Sequence, residues 1–342
     1  MKNVIFSGMA ALLFLSCQHK IENVEKAFYY WKSYDGYFSN REDSIVKKLQ
    51  VQKLYVKFFE VDNSNEMGNY PVSKTNLNFS MPKGNLHIIP TVYLKNKVFS
   101  QSSKGSLDTL ADNVHFLIEK YCKERFGKQP EVKEYQMDCD WTLKTKDNYF
   151  YFLKKLKSLS GKQISCTLRL YPYKYPDKMG VPPVDKVTLM CYNLINPLES
   201  SRKNSILDLE ELKSYLPAKK KYPLHLDVAL PVYSWLQVYQ NNQFSKVVYT
   251  DIKAVKKILK PVKPLWYEIT KDTVVEDIYL RIGDRVKLEE LTAGTIRQAI
   301  RIIKKNVAFD KTTTVTLFHL DEQQLSNCSD EELSAFYSDF SQ

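Results

Sequence analysis

Apolar residues recur along this chain in two alternating patterns. Short runs rich in Val, Ile, Tyr and Phe read as buried strands, and between them lie longer segments whose apolar positions fall three and four apart, as on one face of a helix. The strand-like runs are Ala27 to Trp31, Lys53 to Phe59, Leu86 to Tyr93, a run opening at Glu134, Gln163 to Leu170, Lys186 to Asn193, Pro223 to Tyr233 and Thr313 to Leu320. Helical spacing covers Asp43 to Leu49, Ser106 to Phe126, about Thr145 to Leu159 with Gly161 as its stop, Leu207 to Leu216, Thr292 to Lys305 and Ser329 to Phe340. In the second of these, Leu107, Leu110, Val114, Leu117, Ile118 and Tyr121 form the stripe, Ser106 caps the start and Gly127 ends it.

Eight strands interleaved with helices imply a parallel sheet, and that number favours closure into a (β/α)8 TIM barrel. A doubly wound open sheet is the alternative, but no G-x-G-x-x-G follows the first strand. The alternation breaks twice. Asn63 to Gly84 is polar with no helical period and reads as a long functional loop. From about 236 to 291 the pattern turns strand-like, with alternation over Val274 to Leu288 around an Ile-Gly-Asp turn, so a strand-containing insertion is expected between strands 7 and 8. In Tyr171-Pro-Tyr-Lys-Tyr-Pro the prolines are expected to forbid strand and helix alike.

The run from Glu134 to Thr142 carries the chemistry. In an extended chain Asp138 and Asp140 share one face while Met137, Cys139 and Trp141 take the other. Two carboxylates so close raise the pKa of one of them, unless each is tied to a Lys or Arg on a neighbouring strand. Reactive groups of a TIM barrel gather at the C-terminal ends of its strands. Applied here, that rule collects Trp31, Glu60, Tyr93, Asp138, Asp140, Arg169, Tyr192, Asn193, Tyr233 and Trp235 around one mouth. Rings, carboxylates and one arginine suit a carbohydrate, whose apolar faces stack on rings while its hydroxyls need acceptors and donors. They also suit the polar rim and upper core of a barrel that binds nothing, or one whose partner is protein or lipid, with the acids bridged to Arg169 or a lysine.

Composition changes the picture mainly by compartment. Lys2, the apolar Val4 to Leu15 and the closing Ser16-Cys17 form a secretory signal too short to span a membrane. The segment resembles a bacterial lipoprotein signal, which implies that Cys17 becomes the lipidated first residue, followed by a tether over 18–25 and the barrel domain over 26–342. A plain cleaved signal with an incidental Cys17 is the alternative. The expected location is the cell envelope, facing periplasm or exterior, anchored to the membrane by lipid. The net charge of +11 falls to about +10 (11 minus 1) once residues 1–16, with Lys2, are removed. Export makes nucleic acid an unsuitable partner for it; anionic head groups or acidic polysaccharide fit better, as does plain solubility. Lys253, Lys256, Lys257, Lys260 and Lys263 form the densest basic cluster.

The 44% hydrophobic content suffices for a large core, and the 13% aromatic content, with 23 Tyr, suits ring stacking. Five cysteines besides Cys17 make no C-x-x-C pair; Cys139, Cys166 and Cys191 sit in strand-like runs as small apolar residues, so no disulfide framework is expected. The His residues lack ligand spacing, and neither a metal nor a cofactor is expected.

Three motifs carry a family resemblance. Tyr135-Gln-Met-Asp138-Cys-Asp140-Trp141-Thr142 resembles the fourth-strand D-G-x-D-x-D-W-E of family 18 glycoside hydrolases, the chitinase-like barrels. Met190-Cys-Tyr192-Asn193 is similar to their sixth-strand M-x-Y-D, and Ala229-Leu-Pro231-Val-Tyr233-Ser-Trp235 to their seventh-strand G-x-P-x-Y, which many of them follow with an insertion. The chain also resembles bacterial barrel lipoproteins with an acidic D-x-D-like fourth strand. The resemblance implies that Asp140 matches the Asp orienting the substrate's N-acetyl group and that Tyr192 contacts the sugar. It also implies that Thr142 stands where the general-acid Glu belongs, Tyr135 replaces the first Asp, and Asn193 replaces the Asp that modulates the acid. A threonine hydroxyl cannot act as that acid near neutral pH. Three readings remain open. They are ordinary chitinase-type hydrolysis; a glycoside hydrolase with a rearranged acid and base drawn from Asp138, Asp140 and a partner such as Glu60 or Glu268; and a non-catalytic glycan-binding or protein-interaction lipoprotein. A partner lipoprotein completing the site is compatible with the last.

Overall fold

A computed structural model describes residues 21–32, 38–75, 86–100, 102–126, 132–199, 202–218 and 220–341. Cys17, the signal segment, the first tether residues and Gly127 lie outside them. Eight parallel strands close on themselves: β1 (Asn23–Tyr30), β2 (Lys53–Ser64), β3 (His87–Leu94), β4 (Glu134–Asp138), β5 (Gln163–Leu168), β6 (Lys186–Met190), β7 (His225–Pro231) and β8 (Thr312–Phe318). Each pairs with its sequence neighbour, and β1 closes the ring by pairing with both β2 and β8. With helices between the strands, this is a (β/α)8 TIM barrel.

Local chemistry sets the helix ends. Ser39 and Glu42 form a reciprocal capping box at the start of the Asn40–Leu49 helix. The Lys104–Phe126 helix begins two residues before the expected start, and its cap is the Ser103 hydroxyl, which accepts from the Ser106 N–H at 3.2 Å. Gly161, at φ 61°, ends the Lys146–Ser160 helix in the left-handed region.

Two expectations are corrected. The stretch after Asn63 is not all loop: β2 runs on to Ser64 and turns back into Gly68–Val72, which pairs antiparallel with it from Ser64 to Glu60. The proline-rich segment is helical, as Leu170–Lys174 followed by Pro176–Met179. Pro172 lies in the first turn of its helix and Pro176 at the first position of the next, where the missing N–H has no intrahelical partner to lose.

The insertion between β7 and β8 is a five-stranded antiparallel sheet, with Trp235–Gln240 and Arg285–Glu289 among its strands, plus a small hairpin, Thr273–Val275 with Ile278–Leu280. It has its own apolar core, including Leu236, Val248, Ile269 and Leu288. Glu289, fully buried, joins it to the barrel by accepting from the Trp235 indole, the Gln237 amide and the Ser205 backbone and hydroxyl, with Lys287 beside it at 2.6 Å.

The lower interior of the barrel holds a buried ionic network. Lys186 lies 3.0 Å from Glu134 and 3.1 Å from Asp227, while His225 bridges Asp227 and Asp310 at 3.1 and 2.9 Å. No helix among the described residues is long and apolar enough to cross a membrane.

Candidate functional site

The strand ends place the acids unequally. β4 stops at Asp138, so the alternation expected to carry Asp140 onto the same face ends there. Asp138 is largely enclosed and accepts a hydrogen bond from the Thr167 hydroxyl at 2.6 Å. Burial pushes its pKa up to about 7, the negative charge of Asp140 adds to the effect, and Thr167 and Arg169 oppose it. Asp140 is exposed and forms an ion pair with the Arg169 guanidinium, Nε to Oδ1 at 3.4 Å.

Strand register brings three candidates into one row. Glu60 on β2 sits opposite Tyr93 on β3, and Tyr93 opposite Asp138 on β4. Burial and the charges of Asp138 and Asp140 push the Tyr93 hydroxyl up to about 12, so it remains a donor. Glu60 is occupied by the Lys57 ammonium at 2.9 Å, and Lys57 in turn lies 5.7 Å from the Trp31 ring centre.

Arg169 is held from its other side. Its Nη2 donates to the Asn193 carbonyl at 2.6 Å, and the Tyr233 hydroxyl donates to the Asn193 side-chain oxygen at 2.5 Å. Asn193 takes φ 52°, a region that asparagine tolerates better than most residues, and this turns its carbonyl to the guanidinium. Tyr192 is fully buried with no hydrogen-bond partner for its hydroxyl among the described residues. Its ring lies 5.1 Å from Phe318, which also contacts Tyr29, Trp31 and Tyr233 at 5.6 to 5.8 Å, giving the mouth an aromatic floor.

Other expected positions fall elsewhere. Trp235 is only 8% exposed and its indole N–H is spent on Glu289, so it fastens the insertion and does not present a free stacking face. Glu268 is exposed on the insertion sheet opposite Lys260 and Arg285. Tyr135 directs its hydroxyl to Glu119 and His115 on the Lys104–Phe126 helix. Trp141 is buried, stacked on Tyr149 at 5.5 Å, with its N–H on the Met179 carbonyl. Thr142 is exposed, within 3.2 Å of the Thr145 hydroxyl.

Beside these groups a cavity of about 680 Å³ opens between the β4 and β5 loops, lined by Asp140, Trp141, Thr142, Leu143, Lys144, Arg169, Tyr171, Pro172 and Met179. Tyr171 is 38% exposed and its ring centre lies 4.9 Å from that of Tyr175, which is 40% exposed. Gly180 lets this wall close: a Cβ there would stand 2.7 Å from the Phe150 ring.

Sequence reasoning missed Thr167, Lys57, Phe318, His319 and the Tyr171–Tyr175 wall. Thr167 was findable, since strand alternation puts it on the face of Arg169. His319, its Nδ1 buried without a hydrogen-bond partner among the described residues, is pushed down to about 4 by burial, with the Lys32 and Lys57 charges adding to the effect and Asp321 opposing it. Among the described residues no group of three or more His, Cys, Asp or Glu is placed to hold a metal ion, and Cys122, Cys139, Cys166, Cys191 and Cys328 are unpaired.

No protein-family model matches the sequence, and no curated protein matches it. Solved structures do. The spore cortex-lytic enzyme SleL of Bacillus megaterium QM B1551 is similar with a TM-score of 0.53 and 16% identity over 93% of this chain and 75% of its own. The SleL of Bacillus cereus gives 0.53 and 13% over 94% and 75%. A class V chitinase from Nicotiana tobaccum is more distant, at 0.48 and 11% over 92% and 98%. At such identities the likeness establishes a shared barrel fold.

Proposed function

We propose that this protein is a lipid-anchored, glycoside-hydrolase-like barrel of the cell envelope that captures a glycan at the C-terminal mouth of its strands. The observation that carries the reading is the 680 Å³ cavity, which sets exposed Tyr171 and Leu143 beside the Asp140–Arg169 pair. A sugar offers the complementary surface: an apolar face for the ring, and hydroxyls that donate to Asp140 and accept from Arg169. Binding is favoured over standard chitinase-type hydrolysis because the acid's position holds Thr142, with its hydroxyl beside that of Thr145 and no carboxylic acid in its place.

A second reading, hydrolysis with a rearranged acid, is favoured by one arrangement: the enclosed Asp138, pushed up to about 7 by burial and held by the Thr167 hydroxyl, stands two residues from exposed Asp140. Burial that favours the neutral carboxyl at Asp138 is the kind of environment a general acid needs. Incubating the protein with neutral and acidic oligosaccharides separates the two. Calorimetric binding without products by mass spectrometry supports capture. Product formation lost in Asp138→Asn, with the fold intact, establishes hydrolysis. Absence of both binding and products across the panel refutes the glycan reading.

A further inference from the structure

The charges around the cavity do not balance. Of its lining residues, Asp140 and Arg169 neutralise each other, and Lys144 remains, exposed and with no ion pair or hydrogen bond among the described residues. Lys178 stands at the rim with its ammonium 3.2 Å from the Tyr171 hydroxyl, and Lys146 reaches the Lys178 carbonyl at 3.3 Å; neither has a carboxylate partner among the described residues. The other carboxylates of these loops are not in the cavity. Asp177 lines a separate, smaller cavity with Tyr173 and Tyr222, and Asp147 lies in the first turn of the Lys146–Ser160 helix. An apolar wall next to uncompensated cations therefore opens to solvent.

We infer that the glycan bound here is acidic, and that a carboxylate or sulfate on it docks against Lys144 with Lys178 and Lys146 at the rim. The inference rests on the glycan reading and narrows it. Arg169 assists from a fixed position, because the Asn193 carbonyl and Asp140 already hold its guanidinium in place. The ligand's anion completes the cavity's charge pairing, and its apolar face covers Tyr171. A neutral sugar would fill the same space and leave Lys144 to water.

The experiment uses matched pairs differing only in charge: oligogalacturonate against its methyl ester, and sulfated galactan oligosaccharides against their desulfated forms. Affinities for the full protein are read by calorimetry at low and physiological ionic strength. Expected is binding of one acidic member about tenfold tighter than its neutral partner, weakened by salt. Lys144→Gln should lower that affinity about fivefold, whereas Lys253→Gln, in the insertion's basic cluster, should not change it. The carboxylate and sulfate arms identify which anion is read. Equal affinity for both members of every pair, or an unchanged acidic affinity in Lys144→Gln, overturns the inference while leaving glycan capture standing. No binding by any member overturns both. An equal loss in Lys253→Gln would mean diffuse attraction to a basic surface and also overturns it.

Discussion

The Thr167 hydroxyl donates to the Asp138 carboxylate across the β4–β5 boundary at 2.6 Å, yet Asp138 still titrates near 7 because burial and the charge of Asp140 outweigh that bond. A carboxyl raised from the ordinary 3.8 stabilises the fold fully below that value and progressively less as pH rises through 7. The expected span is about 4 kcal/mol between pH 4 and pH 7. In Asp138→Asn this fall should vanish, so its denaturation midpoint should decline less over that range than wild type's. Parallel curves would show that Asp138 does not carry the raised pKa.

The base of the barrel carries its own pH dependence. His225 is raised above its usual value by its bond to Asp227, with Asp310 also contributing. Its contribution is present below about 6.5 and lost as pH rises through the raised value, while the depressed Asp227 contributes above about 3.8 and loses that contribution in acid. Because His225 is one-third exposed, the effect should be under about 1 kcal/mol. In His225→Gln the stability should be independent of this step between pH 6 and 8, as read by urea denaturation.

Lys186 is the cation between buried Glu134 and Asp227. Lys186→Met should cost about 3–5 kcal/mol by taking the ammonium from buried Glu134 and leaving buried Asp227 to His225 and the Thr314 N–H, and replacing all three residues with apolar ones should restore much of the loss. Chemical denaturation of both variants checks this; a small effect of the single change would mean that Glu134 and Asp227 find other partners.

Glu289→Gln should loosen the insertion and spare the barrel. The change leaves buried Lys287 without its anion and weakens the contacts to Trp235 and Ser205. Hydrogen exchange should accelerate over 235–289 while β1 to β8 keep their protection.

Tyr171 and Trp235 should separate binding from stability. Tyr171→Ala removes an exposed ring of the cavity and should weaken glycan affinity up to about tenfold with little effect on folding. Trp235→Ala empties a buried site and should cost about 3–5 kcal/mol of stability. The reverse pattern, measured by calorimetry and thermal denaturation, would return Trp235 to the binding surface.

Much of this architecture was legible in the chain. Eight apolar runs with helical segments between them, and the strand-like stretch after Trp235, foretold a barrel with an insertion because both features are periodicities of local sequence. The gathering of Asp138, Arg169 and Asn193 at one end followed from strand polarity. Which side chains stand open there did not. Trp235 and Tyr171 look equally suited to stacking as letters, but only the tertiary structure sets Glu289 against the first and leaves the second at a cavity wall. Asp138 and Asp140 looked equivalent by alternation, and the end of β4 separated them into an enclosed acid and an exposed ion-paired one. The chain by itself determined the barrel, since element type depends on neighbours a few residues away. The tertiary structure decided the site, since accessibility, charge balance and proton affinity depend on groups brought together from distant strands.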